Sequence, residues 1–350
     1  MKAFAILSLL VLLINVTAKA EIANAQNLVP QTFESAVERI QDLQTSESKT
    51  IEDTKHMTQL MTHGQKTKYV LLSIPGLHES PYHIQGLNKF FYENGANVLS
   101  LHLPGHQQID KKAMGRVTAK QWEQAVADAI TVAHGLGDQL LVLGYSTGGG
   151  LAVQAALQRP SEISQLFLFA PSIGLSNKTF LFALFGQLAG NKELCTKEKL
   201  ESEKPGFFCN TFNKLDYQAV QMIKEGTYPS AAAGMQVQQI INDIITEFGN
   251  PEETNYYENL HEIYATLKVP TFMVSSKADA IVAPTLNHEV MQSLQVRKQL
   301  VEYPKNLKVT HLMITKSQGD ALSKSPDDSF NPYFQDLLPK MKSFWMNEAP

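Results

Sequence analysis

Residues 140–151 read LLVLGYSTGGGL, an apolar run followed by a serine between glycines and then by small residues. The apolar run predicts a buried strand, and the small residues predict a helix directly after it. Ser146 then lies in the sharp turn between the two, with its hydroxyl exposed. Gly144 and Gly148 leave room where backbone must approach backbone. Such a turn is typical of a serine nucleophile; the alternative is a glycine-rich turn with a solvated serine.

Strand and helix patterns alternate on both sides of this turn. Apolar runs predict further strands at residues 69–74, 97–103, 165–170, 269–275 and 299–303. Helical spacing predicts helices between them, around residues 286–294, and at the end of the chain over 330–346. This alternation predicts an α/β fold with a mostly parallel sheet and helices on both of its faces.

Residues 176–261 interrupt the alternation, because they contain aromatic and aliphatic clusters but no strand pattern. The flanking segments, 69–175 and 262–350, are each incomplete alone, so we expect one core domain with a largely helical cap insertion. Both ends of the insertion emerge near Ser146. If the apolar run 180–185 is helical, Phe182 and Phe185 share a stripe that either lines an acyl slot or only packs the cap against the core.

The first twenty residues have the pattern of a secretory signal peptide. Lys2 precedes an almost wholly apolar run over residues 3–16, and Ala18-Lys19-Ala20 has the form of a cleavage site. We expect cleavage after Ala20 and a secreted or periplasmic protein. The alternative is a membrane anchor, although the run is shorter than the ~20 residues that a spanning helix needs. Residues 21–68 are predicted to form an N-terminal extension, with a helix from about residue 32 and a polar surface segment after it.

Composition limits the function further. The chain has 350 residues, 43% of them hydrophobic, so it can bury a sizeable core. Its formal charge is −4, and loss of the two lysines of the signal peptide would make it −6. The absence of a basic run argues against a nucleic-acid partner. No later stretch is apolar for long enough to span a bilayer, so the mature chain is predicted to have no transmembrane segment.

Two further residue types bear on bound metals and cross-links. Apart from His288 and His311, the other eight of the ten histidines are scattered without metal-ligand spacing, so no metal site is expected. The chain has two cysteines, Cys195 and Cys209, and both lie in the insertion. In an exported protein a disulfide between them is plausible; the alternative is two free thiols.

A serine hydroxyl needs a base within hydrogen-bond reach and an acid that orients the base. On sheets with this kind of turn the partners follow in the order serine, acid, histidine. Asp279 comes just past the predicted strand 269–275, and His311 comes just past the strand 299–303. The alternatives are a turn aspartate and an ordinary loop histidine. The backbone N–H of Thr147 and that of Leu77, in the loop after strand 69–74, are the predicted donors to an oxyanion.

Three segments together resemble bacterial α/β-hydrolases of the carboxylesterase and monoacylglycerol-lipase-like group: residues 62–77, residues 101–106 (LHLPGH) and residues 144–149 (GYSTGG). The resemblance is clearest over residues 62–171 and returns at Asp279 and His311. It implies an eight-stranded α/β-hydrolase fold, a lid-like cap, no cofactor, and cleavage of carboxylic esters. The substrate would be a small-molecule or lipid ester with a short- to medium-chain acyl group, or one like a monoacylglycerol. Carried over by position, Ser146 is the nucleophile, Asp279 the acid, His311 the base, and Leu77 and Thr147 the oxyanion donors.

The chain departs from this family pattern in two loops. It has Pro75-Gly76 where His-Gly is usual, and Gly105-His106-Gln107 where Gly-His-Gly is usual. The first departure bears on the shape of the oxyanion loop. The triad pattern also fits an acyltransferase or a peptidase on the same fold, and an inactive binding protein would keep the pocket without turnover.

Overall fold

The computed structural model describes residues 32–110, 112–176, 197–204, 206, 209–210, 231–253, 255–311, 313 and 331–347. Within these residues one sheet is formed by seven strands: β1 (Gln59–Met61), β2 (Thr67–Ile74), β3 (Asn97–Ser100), β4 (Gly137–Tyr145), β5 (Gln165–Phe169), β6 (Thr271–Ser276) and β7 (Lys298–Tyr303). Their spatial order is β1-β3-β2-β4-β5-β6-β7. The β1–β3 pair is antiparallel and every other pair is parallel, which confirms the predicted α/β architecture.

The described helices are α1 (Phe33–Glu47), α2 (Gln85–Glu93), α3 (Ala119–Leu136), α4 (Thr147–Gln158), the short α5 (Lys197–Leu200), α6 (Ala231–Phe248), α7 (Tyr256–Ala265), α8 (Pro284–Ser293) and α9 (Phe334–Met346). None of the helices in these parts of the chain combines the length and apolar character needed to cross a membrane.

Two hydrophobic clusters cover the two faces of the sheet. Alternate residues of β2 point to opposite faces, so Val70 and Leu72 belong to one cluster and Leu71 to the other. Buried side chains of α1, α3, α4, α6, α7 and α8 complete the first cluster, and those of α2 and α9 complete the second. The sheet is therefore buried on both faces, as a parallel sheet requires.

The sheet has one strand fewer, within the described residues, than the eight that the resemblance implied. Ahead of β1, residues 33–47 form helix α1, which begins after a capping box at Thr32 and buries Ala36 and Ile40 in the core. Strand β1 itself lies in the segment expected to be a polar surface extension. It pairs with the edge of β3 because Leu60-Met61 can satisfy backbone groups that an open edge would leave unpaired. The predicted extension thus contributes a helix and a strand to the core.

Strand β3 ends at Ser100, three residues before the predicted end at residue 103. The reason is a side chain: the His102 N–H donates to Thr58 Oγ1 at 3.0 Å instead of to a strand neighbour. The Thr58 N–H and hydroxyl donate in turn to the buried Glu47 carboxylate at the end of α1, each at 2.7 Å. These bonds fold the N-terminal segment back onto the sheet.

The predicted cap, residues 176–261, is described only in part. Its described portion contains α5, α6 and the start of α7. Phe182 and Phe185 lie outside the described residues, as do the predicted signal peptide and Cys195. Cys209 is buried, and its pairing with Cys195 stays a prediction.

Candidate active site

Ser146 occupies the turn between β4 and α4 in a conformation that few residues adopt. Its φ is 53° and its ψ is −116°, outside the regions allowed to most side chains. Hydrogen bonds hold the residue there: its N–H donates to the Phe169 carbonyl at 2.9 Å, and its carbonyl accepts from the Gly149 and Ser172 N–H groups, each at 2.9 Å. The neighbouring strand and helix therefore impose the strained backbone.

The glycines around Ser146 are required by close backbone contacts. A Cβ on Gly144 would lie 2.3 Å from the Gly148 carbonyl oxygen, and a Cβ on Gly148 would lie 2.2 Å from the Ile74 carbonyl oxygen. Both distances are far below van der Waals contact. The Gly-x-Ser-x-Gly spacing thus lets α4 start directly against the ends of β2 and β4.

The structure brings Ser146, His311 and Asp279 together from three separate loops. His311 Nε2 lies 2.9 Å from Ser146 Oγ, and His311 Nδ1 lies 2.8 Å from Asp279 Oδ2. Because the Asp279 carboxylate accepts a hydrogen bond from the Nδ1–H of His311, Nε2 is left as the acceptor for the serine hydroxyl. This arrangement can transfer the serine proton to the imidazole and stabilise the resulting charge.

Asp279 is held by its own loop. Its Oδ1 accepts the Ile281 N–H at 2.8 Å and the Val282 N–H at 3.2 Å. The side chain is 1% exposed, whereas that of His311 is 14% exposed. The carboxylate is therefore shielded from water, while the imidazole remains partly exposed.

Two positioning contacts around His311 were missed by sequence reasoning. The buried Tyr145 hydroxyl donates to the His311 backbone carbonyl at 3.0 Å. The Ser276 hydroxyl, at the end of β6, donates to the Val309 carbonyl two residues before His311. Tyr145 is the variable residue before Ser146 in the motif, so its position offered a signal, but its partner is 166 residues away.

The loop after β2 lies directly beside Ser146. A Cβ on Gly76 would lie 3.1 Å from Ser146 Cβ. The loop is closed on itself, because the Gly76 N–H donates to Glu79 Oε2 at 2.9 Å and the Glu79 N–H donates to the Gly76 carbonyl at 3.1 Å. Among the described residues, neither the Leu77 N–H nor the Thr147 N–H has a hydrogen-bond acceptor. Both groups are free to bind a ligand oxygen.

Three histidines near these loops, the buried His106 and the half-buried His56 and His83, are neutral at ordinary pH. Burial lowers the pKa of His106 to about 3 and the pKa of His83 to about 4. Burial, with the neighbouring His83 imidazole as the next cause, lowers the pKa of His56 to about 4. In the described part of the chain no group of three or more histidine, cysteine or acidic side chains is placed to hold a metal ion.

Known structures with this architecture include several hydrolases. A metagenome-derived lipolytic enzyme aligns with a TM-score of 0.57 and 17% identity, covering 84% of this chain and 98% of that one. Monoglyceride lipase from Saccharomyces cerevisiae gives 0.54 and 17%, with 82% and 91% coverage. Monoacylglycerol lipase from Paleococcus ferrophilus gives 0.53 and 16%, with 83% and 99% coverage. At these identities the likeness concerns the fold alone.

Sequence comparison supplies the family. No curated protein matches the chain. A family model described as serine aminopeptidase, S33, matches residues 65–311 and so spans the sheet, Ser146, Asp279 and His311. The chain therefore belongs to this S33 family of α/β-hydrolases.

Proposed function

We propose that the protein is a serine esterase that cleaves carboxylic esters through an acyl-enzyme on Ser146. The observation that carries the proposal is the unbroken line of hydrogen bonds from Ser146 Oγ through His311 to Asp279. The N–H groups of Leu77 and Thr147, which have no acceptor among the described residues, flank the same serine. Nucleophile, base, orienting acid and oxyanion donors are the parts that acyl transfer needs.

Each step uses one of these groups. His311 Nε2 takes the hydroxyl proton as Ser146 Oγ attacks the ester carbon, and Asp279 stabilises the imidazolium that forms. The Leu77 and Thr147 N–H groups bind the negative oxygen of the tetrahedral intermediate. His311 then gives its proton to the departing alcohol. Water, deprotonated by the same imidazole, releases the acid and restores the Ser146 hydroxyl.

The proposed substrate class is supported by the family resemblance and by the names of structural neighbours. Two of those neighbours are named as lipases of monoglycerides or monoacylglycerols. We propose a short- to medium-chain ester or a monoacylglycerol-like lipid as the substrate. The insertion over residues 176–261 is proposed to act as the cap that selects the acyl group, with Phe182 and Phe185 in its acyl slot.

A second candidate is a peptidase, because the matching family is described as serine aminopeptidase. The same residues can attack an amide, and acyl transfer to an acceptor other than water would need no different triad. A panel of p-nitrophenyl esters of graded chain length, monoacylglycerols and aminoacyl anilides separates these activities. Preference for the anilides would favour the peptidase.

Replacing Ser146 tests the mechanism. We expect Ser146→Ala to lose at least roughly 10³-fold in kcat and to lose labelling by a fluorophosphonate, because the nucleophile is gone. Ser293→Ala, at the far end of α8, is the matched control and should retain both. Normal ester hydrolysis by purified Ser146→Ala protein would exclude the acyl-enzyme mechanism.

We further propose that the protein is exported, with cleavage after Ala20, and that Cys195 and Cys209 form a disulfide. Closing that short loop would stabilise the folded chain by roughly 3 kcal/mol in the loop-entropy model. N-terminal sequencing of the secreted protein tests the cleavage. Alkylation of both thiols without prior reduction would contradict the disulfide.

A further inference from the structure

Backbone strain in this molecule is concentrated at the candidate site. Among the described residues, six that are not glycine have positive φ: His78, Gln107, Ser146, Ala170, Lys308 and Asn347. The first four follow β2, β3, β4 and β5, which are adjacent in the sheet. Strain of this kind persists only where surrounding contacts impose it, and it clusters at functional sites. Ser146 has a role already; Gln107 does not.

Gln107 connects two of these strained loops. It has a φ of 45° and is half-buried, and its Nε2 donates to the His78 carbonyl at 2.8 Å. His78 lies in the loop after β2, one residue beyond Leu77, with a φ of 66°. A glycine would adopt the backbone of Gln107 without strain but has no side chain to reach His78.

The bond acts on a peptide unit that is held from both sides. The carbonyl of His78 accepts from Gln107, while the N–H of the same peptide unit, that of Glu79, donates to the Gly76 carbonyl at 3.1 Å. Because a peptide unit is planar, these two bonds fix its orientation. The Gly76 N–H is held in turn by Glu79 Oε2 at 2.9 Å. The Leu77 N–H therefore lies between two immobilised peptide units.

We propose that Gln107 is a positioning residue for the oxyanion hole, and that it aims the Leu77 N–H by holding the His78 carbonyl. The proposal rests on the function proposed for Ser146. Gln107 does not contact the reacting atoms in this role. The bond from Gln107 should stabilise the transition state more than the bound substrate, because the Leu77 N–H is needed most when the carbonyl oxygen of the ester becomes negative.

Two variants of Gln107 separate positioning from simple support of the fold. Gln107→Gly removes the hydrogen bond but also the left-handed strain, so its thermal stability should change little. Gln107→Glu keeps the size of the side chain and replaces the donor by a carboxylate that faces a carbonyl oxygen. In both variants we expect kcat to fall about 10- to 100-fold with KM nearly unchanged, since a donor displaced by about 1 Å can cost this much.

Asn347→Gly is the matched control. It also replaces a left-handed residue by glycine, but it lies at the end of α9, outside the loops around Ser146. Its kcat and its rate of labelling by a fluorophosphonate should equal those of the wild type. The labelling rate of the two Gln107 variants should fall together with kcat, because the phosphonyl oxygen uses the same donors.

Two results would overturn the proposal. One is a kcat within about twofold of the wild-type value in both folded Gln107 variants; the other is a raised KM with an unchanged kcat, which would indicate ordinary substrate binding. If wild-type Ser146 is labelled but no ester is hydrolysed, the proposed esterase function fails. The labelling rates of the variants then still decide the role of Gln107.

Discussion

The strained backbone of Ser146 predicts an unusual order of stability for two inactive variants. Ser146→Gly and Ser146→Ala both remove Oγ and its 2.9 Å bond to His311. They differ in one respect, because alanine keeps a Cβ at φ 53°, ψ −116°, and glycine does not. Comparing the two variants therefore cancels the lost hydrogen bond and leaves the backbone strain.

The expected difference in the free energy of unfolding between the two variants is the strain energy of alanine at this position minus the extra conformational entropy that glycine loses on folding. A non-glycine residue in such a conformation costs about 1–3 kcal/mol. Glycine loses more backbone freedom on folding than alanine, by roughly 0.5–1 kcal/mol. Ser146→Gly should thus be the more stable variant by up to about 2.5 kcal/mol, or up to about 5 °C in Tm for a domain of this size.

Urea and thermal unfolding of the two purified proteins measure the difference, and both should be inactive toward esters. Ser293 is the control pair, because it lies in the right-handed conformation of α8. There the alanine variant should be the more stable, by up to about 1 kcal/mol. If Ser146→Ala is also more stable than Ser146→Gly, the turn does not store strain and the argument fails.

Three more predictions follow from single contacts. Tyr145→Phe removes the donor to the His311 carbonyl. We expect urea unfolding to show a free energy of unfolding lower by about 1 kcal/mol, and ester assays to show a lower kcat. If neither value changes, Tyr145 does not position His311. Gly148→Ala would place a Cβ 2.2 Å from the Ile74 carbonyl oxygen, so we expect this variant to be insoluble or less active. A soluble and fully active Gly148→Ala protein would contradict the close packing of the turn. The lowered pKa of His106, about 3, means that below about pH 6.5 the unfolded chain binds a proton that the folded chain refuses. The free energy of unfolding should therefore fall as the pH drops from about 6.5 toward 3. In urea titrations at acid pH, the free energy of unfolding of His106→Gln should fall less steeply than that of the wild type.

Much of the fold could be predicted from local patterns in the sequence. Apolar runs of strand length alternate with helical spacing, and this period reports which residues face a core whatever the partner is. The turn at Ser146 was predictable for the same reason, since the apolar strand, the glycines and the small residues of the helix follow one another directly in the chain. The contact of Gly148 with the Ile74 carbonyl is seen only in the structure. Asp279 and His311 were predictable as the partners of Ser146 because they follow it in the order serine, acid, histidine and because each comes just past a predicted strand.

Contacts between distant segments were not readable. The sequence shows a short apolar patch at residues 60–61, but only the open edge of β3 makes that patch a strand. The shape of the loop after Pro75 was not predictable either, because it depends in part on the hydrogen bond from Gln107 to the His78 carbonyl, 29 residues away.

The sequence by itself therefore determined the class of fold and the residues able to do the chemistry. The tertiary structure decided how the neighbouring loops are held: the Tyr145 hydroxyl donates to a carbonyl 166 residues away, and the Gln107 side chain donates to a carbonyl 29 residues away. Residue type sets which hydrogen bonds are possible. Which of them form depends on the packing that brings their atoms within about 3 Å.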